Sequence, residues 1–186
     1  MRLFAALVPP ASVLDDLAEA VGRGRAGAPP SVRWSSRERW HLTLAFYGEV
    51  DADRAPELAG HLARAAEGVP APVLSLAGAG RFGQQVLWAG VRGAPDALAA
   101  LDRLAAAAVA AGRAVGAAVE DRPYRPHLTL ARSRGPADLD PLVAALADWS
   151  GPPWTADALR LVASTPGARP AHDVLATVPL AAGTQR

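Results

Sequence analysis

The chain has 186 residues, 51% of them hydrophobic and 20% charged, with a formal net charge of +1. That balance excludes a disordered chain and suffices for a buried core, as one domain or as two small lobes sharing a cleft. Near-neutral charge argues against a protein that coats nucleic acid, so any nucleic acid is expected to be held at a single site or end.

In chain order, residues 2–8 read as a short strand stopped by Pro9 and Pro10. Ser12, with Asp15 three residues on, reads as a helix start, and Val13, Leu14, Leu17 and Val21 keep helical spacing. Residues 22–30 read as a Gly/Pro/Arg loop. Residues 32–35 and 40–47 read as strands. Leu58, Leu62, Ala65 and Val69 mark a helix from near Asp53. Residues 72–76 and 86–91 read as a hairpin around a glycine-rich loop, and 96–111 as a helix with close packing at its alanine run. Residues 126–131 read as a strand, 138–149 as a helix, and 158–164 and 173–178 as closing strands.

This order repeats: strand, helix, strand, helix in each half. Each half carries the same five residues, His-Leu-Thr-Leu-Ala, at 41–45 and at 127–131. Two similar lobes, each presenting one such strand, are the expected architecture.

Several chemistries are excluded. There is no cysteine, hence no disulfide, thiolate nucleophile or thiolate-ligated metal, which fits a cytoplasmic protein. All 19 basic residues are Arg. With no lysine there is no Schiff base, no P-loop lysine and no lysyl–nucleotide intermediate. The N-terminal apolar run is too short for a signal peptide, and no apolar run is long enough to cross a membrane. Gly78-Ala79-Gly80-Arg81-Phe82-Gly83 fits a dinucleotide-binding pattern, but a strand pattern follows it where a helix is required. His61 and His172 lack metal-ligand spacing and read as structural. The five tryptophans read as core, with Trp34 nearest the expected cleft.

Alternation along a strand puts His41 and Thr43 on one face and Leu42 and Leu44 on the other. The second motif does the same with His127 and Thr129 against Leu128 and Leu130. Histidine titrates near neutrality, so one ring can give a proton while the other takes one. Threonine hydroxyls can hold the non-bridging oxygens of a phosphate as charge builds there. The four together form a kit for phosphodiester chemistry without a metal or other cofactor. The same alternation puts Tyr47 on the His41 face, where it could meet a base, and favours Arg125 over Arg132 as a phosphate partner.

The paired His-x-Thr-x motifs resemble those of the 2H phosphoesterase superfamily. They are most similar to the RNA 2′,3′-cyclic phosphodiesterase branch, historically called 2′-5′ RNA ligases. The likeness runs through Arg2-Leu3-Phe4-Ala5-Ala6-Leu7, Val32-Arg33-Trp34, Trp40-His41-Leu42-Thr43-Leu44-Ala45-Phe46-Tyr47-Gly48, Val86-Leu87-Trp88-Ala89-Gly90-Val91 and Arg125-Pro126-His127-Leu128-Thr129-Leu130-Ala131-Arg132. Tyr47 departs from it, since the family commonly has Leu before that glycine. The resemblance implies an α+β fold over 1–186: one bilobal domain whose two pseudo-symmetric lobes, each an antiparallel sheet with outer helices, flank a central cleft. It implies hydrolysis of a terminal 2′,3′-cyclic phosphate to a 2′-phosphate, with His41 as proton donor, His127 as proton acceptor, and Thr43 and Thr129 on the phosphate. It favours Arg132 as the phosphate-binding arginine. It implies RNA ends as partners, tRNA fragments among them, a monomer, and weak ATP-independent ligation as the reverse reaction. Two alternatives remain open: a phosphodiesterase of small cyclic nucleotides or ADP-ribose cyclic phosphate, and a non-catalytic RNA-end binding module.

Overall fold

The structure, a computed structural model, describes residues 1–120, 122–165 and 171–182. It is a mixed fold of helices and antiparallel strands. The strands are β1 (Arg2–Leu7), β2 (Val32–Trp34), β3 (Leu42–Glu49), β4 (Val73–Phe82), β5 (Val86–Gly93), β6 (His127–Ser133), β7 (Trp154–Thr155), β8 (Ala158–Thr165) and β9 (Ala171–Pro179). The helices are α1 (Ala11–Gly24), α2 (Ala55–Ala66), α3 (Pro95–Ala114) and α4 (Asp140–Ala145).

Among the described residues all nine strands join one sheet in the order β7-β4-β5-β6-β3-β1-β8-β9, with β2 on β6. The two halves meet at the motif strands, which pair only at Leu42 and Leu128. Beyond that contact β6 takes β2 as its neighbour, through Val32–Trp34 against Ala131–Ser133. The motif strands therefore touch once and part, and the parting opens a cleft at the junction of the half-sheets.

The lobes are not the two halves of the chain. Helix α3, which follows β5, packs on β3 and beside α2. Helix α1, which follows β1, lies instead by α4, with Trp149 Nε1 donating to Asp16 at 3.0 Å. The core is continuous across the junction, with Leu42, Leu44, Leu128 and Leu130 all buried.

Local details differ from expectation in several places, including the expected 22–30 loop, where α1 runs on to Gly24 and a 3-10 turn follows over Arg25–Gly27. Helix α1 begins at Ala11 with Pro10 as its cap and no side-chain cap bond, so Ser12 caps nothing. Helix α2 ends at Ala66, leaving Val69 outside it. The glycine-rich run lies in β4, with register slipping at Gly78, whose φ of 62° suits glycine, and only residues 83–85 turn the hairpin. Helix α4 ends at Ala145, well short of residue 149, where the chain needs to reach back to β4: Trp149 accepts from Gly78 N–H and Gly151 donates to Leu76.

Candidate active site

Leu42 and Leu128 face each other across the strand junction and anchor it to the core. Extending their register by one residue sets His41 against Thr129 and Thr43 against His127. The histidines thus stand diagonally, each beside the other motif's threonine, around a pseudo-twofold axis.

Each histidine is oriented the same way. His127 Nδ1 donates to the carbonyl of Arg125 at 2.7 Å. The His41 ring bonds the carbonyl of Arg39, again two residues upstream. For His127 the bond fixes the tautomer and leaves Nε2 free as an acceptor. Aromatic rings brace both: Phe4 stacks on His41 at 4.6 Å, while Phe82 meets His127 edge-on at 4.8 Å.

Burial pushes the His41 pKa down to about 4, helped by nearby His172 and His127, against the Arg39 carbonyl, which favours the cation. Burial also lowers His127, with Arg122 and Arg132 adding to the effect against its carbonyl bond. In the free cleft both rings are therefore neutral near pH 7. A bound phosphate anion would reverse this, because an opposite charge favours the cation.

Two cavities meet at the site. One, of about 840 Å³, lies on the His127 side and the other, of about 650 Å³, on the His41 side. Thr43, Thr129 and Arg132 line both, together with Phe46, Glu120 and Arg122, so these six mark the junction.

The strand-parity expectations for Tyr47 and Arg132 fail for one shared reason. Each motif strand carries a bulge just after its threonine. Opposite β1, Thr43 pairs with Ala6 and Ala45 with Ala5, so Leu44 is extra. Opposite β5, Thr129 pairs with Trp88 and Ala131 with Leu87, so Leu130 is extra. Leucine and alanine both turn inward, and parity flips beyond them. Tyr47 is consequently fully buried, its hydroxyl donating to the Ala108 carbonyl at 3.1 Å, and lines neither cavity. Phe46 takes the cleft face in its place. In β6 the same flip brings Arg132 to the face of His127 and Thr129. Arg125 precedes the strand and lines only the His127-side cavity.

The family model described as the 2′-5′ RNA ligase superfamily matches residues 9–168. The chain belongs to this superfamily. It is 34% identical over 132 residues to the RNA 2′,3′-cyclic phosphodiesterase of Geobacillus stearothermophilus, a match covering 66% of this chain and 40% of that one. The match therefore spans less than half of that relative. Against the RNA 2′,3′-cyclic phosphodiesterase of Escherichia coli strain K12 it is 31% identical over 137 residues, 73% of this chain and 74% of the relative. The crystal structure of E. coli LigT complexed with 3′-AMP superposes with a TM-score of 0.75 at 27% identity, covering 99% of this chain and 98% of that one.

In this superfamily member several cleft residues lie outside the sequence reading. His172, read as structural, stands edge-on to His41 with ring centroids 5.2 Å apart. Tyr124 lines the His127-side cavity with its buried hydroxyl unpartnered. Arg39 and Phe4 flank His41. One sequence signal pointed to part of this set: both motif histidines follow an arginine by two residues, Arg39-Trp40-His41 and Arg125-Pro126-His127. His61 lies apart on α2, 3.8 Å from Glu57, and Trp34 lies under the Arg25 guanidinium, away from both cavities. No helix among the described residues is long and apolar enough to cross a membrane.

Proposed function

We propose that this protein hydrolyses the terminal 2′,3′-cyclic phosphate of RNA to a 2′-phosphate by two-histidine acid–base catalysis. The observation that carries the reading is the diagonal arrangement of His41 and His127 about Thr43 and Thr129, each ring held by a matching carbonyl. Residues 1–186 act as one bilobal unit.

Water attacks phosphorus from the His127 side and gives its proton to that ring. As the new P–O bond forms, the bond to the 3′-oxygen breaks, and His41, protonated in the complex, supplies the proton that oxygen needs. Thr43 and Thr129 donate hydrogen bonds to the non-bridging oxygens, and Arg132 neutralises the charge gathering there. When a 5′-hydroxyl replaces water, the same steps form a 2′-5′ link without ATP. No step draws on a metal. The E. coli and Geobacillus relatives, named for this activity, support the choice of substrate, and the absence of any lysine or cysteine leaves histidine as the natural proton carrier. The substrates are RNA ends, tRNA fragments among them, met by a monomer in the cytoplasm.

The test is a short RNA ending in a 2′,3′-cyclic phosphate, incubated with protein in EDTA and followed by phosphorus NMR. Wild type yields a 2′-phosphate, and His41→Ala or His127→Ala slows it by about 10²–10⁴. A 3′-phosphate product, or loss of activity in EDTA restored by a divalent cation, overturns the mechanism. Intact RNA overturns catalysis on this substrate. Turnover of cyclic nucleotides alone would then favour the small-substrate alternative, and no turnover at all the binding module.

A further inference from the structure

The cleft is not alike on its two sides. The His127-side cavity sets Arg113, Arg122, Arg125 and Arg132 against an apolar wall that includes Phe82, Val109 and Tyr124. The His41-side cavity has a polar, cationic floor. Arg2 on β1 pairs with Ser164 on β8, and Ser164 pairs with His172 on β9. Residues directly opposite in antiparallel strands share a face, so these three side chains form one row. All three line the cavity beside His41, and Arg39 joins them from the turn before His41.

Among the described residues few carboxylates act on this row, chiefly Glu38 on Arg39 and Asp173 on His172. Arg39 makes no ion pair among the described residues. Arg2 reaches Glu49 only at 3.9 Å, with both side chains mostly exposed, which is a weak pair. The one carboxylate lining the cavity among the described residues is Glu120, and it is engaged by Arg122 at 2.7 Å. Arginine forks suit the paired oxygens of a phosphate, and serine and imidazole add neutral donors.

Chemistry says which phosphate this could be. The oxygen that His41 protonates belongs to the terminal ribose. The rest of that nucleotide therefore lies on the His41 side, and its 5′ substituent extends away from the reacting phosphorus over the row. We propose that Arg2, Ser164, His172 and Arg39 form a second phosphate subsite, which takes the 5′-phosphate of the terminal nucleotide. The preferred substrate is then a chain of two or more nucleotides, not a bare cyclic nucleotide. This rests on the function proposed above and on His41 as the proton donor.

Three substrates test it: a nucleoside 2′,3′-cyclic phosphate, the same compound with a 5′-phosphate, and a dinucleotide ending in the cyclic phosphate. In wild type the 5′-phosphate lowers KM by about tenfold or more, as expected for charge-assisted hydrogen bonds. The dinucleotide shows the same gain. Its log KM against log salt is steeper by about 0.7, the share of one single-strand phosphate. In Arg39→Gln and in His172→Gln the KM ratio with and without 5′-phosphate falls toward one. In Ser164→Glu the ratio inverts, because a carboxylate then faces the phosphate. Equal KM values for the first two substrates in wild type overturn the subsite while leaving the function standing. A gain that survives all three substitutions overturns its location. Failure to turn over any of the three substrates overturns the function itself.

Discussion

His41 and His127 are each tied by the ring to a carbonyl two residues upstream, so orientation is set by the backbone and not by a neighbouring carboxylate. The two arginines predicted for the phosphate differ in placement. Arg132 lines both cavities, whereas Arg125 contributes its carbonyl to His127 and its exposed side chain lines the His127-side cavity alone. Arg132→Gln is therefore expected to lower kcat/KM by about 10–100-fold, the worth of a hydrogen bond between charged groups, and Arg125→Gln by less than about threefold, as for an exposed charge. Steady-state kinetics on the cyclic-phosphate RNA checks both. Equal losses would mean that Arg125 reaches the phosphate. The four motif residues were legible in the sequence because the motif occurs twice and alternation joins His to Thr within each copy. Residues beyond the threonines were not, because a bulge changes parity without a distinctive residue to mark it: Leu-Ala reads as ordinary strand. His172 was invisible for another reason. It reaches His41 only through β8 and β9 being added to β1, a pairing no local pattern encodes.

At the scale of elements, the exchange of helices between the two sides makes the α3–β3 contact central to the cleft's geometry. Helix α3 lies against the back of β3, and the seam is close enough that Tyr47 bonds the Ala108 carbonyl. Gly112 permits this approach: a Cβ there would stand 2.6 Å from both the Tyr47 ring and Val119. Gly112→Ala gains helix propensity of up to about 1 kcal/mol but must displace a buried ring, an overpacking that costs about 1–3 kcal/mol. Loss of the Tyr47 hydroxyl bond adds to that cost, so the expected outcome is net destabilisation and a Tm lower by several degrees. Gly60→Ala in α2, where the nearest atom is the mobile end of Arg64 at 3.5 Å, should instead raise Tm slightly. Thermal melts of the two variants give opposite signs if the seam is as tight as described. The alanine run announced close packing of this helix. Its partner was not legible, because repeat order alone would leave each half its own helices and only tertiary structure decides otherwise.

For the whole molecule, the cleft concentrates three histidines of lowered pKa. His41 falls to about 4, and both His127 and His172 are pushed down, each chiefly by burial. Folding takes these rings out of water in their neutral form, whereas the unfolded chain protonates them near the ordinary 6.5. Between those values the unfolded state binds more protons, so stability rises with pH there. It is fully present above about pH 6.5 and is lost as pH falls towards 4. For His41 alone, a shift from 6.5 to about 4 corresponds to at most about 3 kcal/mol. Carboxylates titrate in the same range, so the informative quantity is the difference between wild type and His41→Gln, which removes the titration while keeping a polar side chain. Denaturant unfolding at pH 7 and pH 4.5 should show a smaller drop for His41→Gln than for wild type. Inorganic phosphate, a monoanion through this window, should narrow the gap by stabilising the imidazolium in the folded cleft. An identical drop in both proteins, with phosphate making no difference, would mean that His41 is already hydrated in the free protein. Its ring would then need no bound phosphate to act as an acid, and the cleft would be a more open site than its two lining cavities suggest.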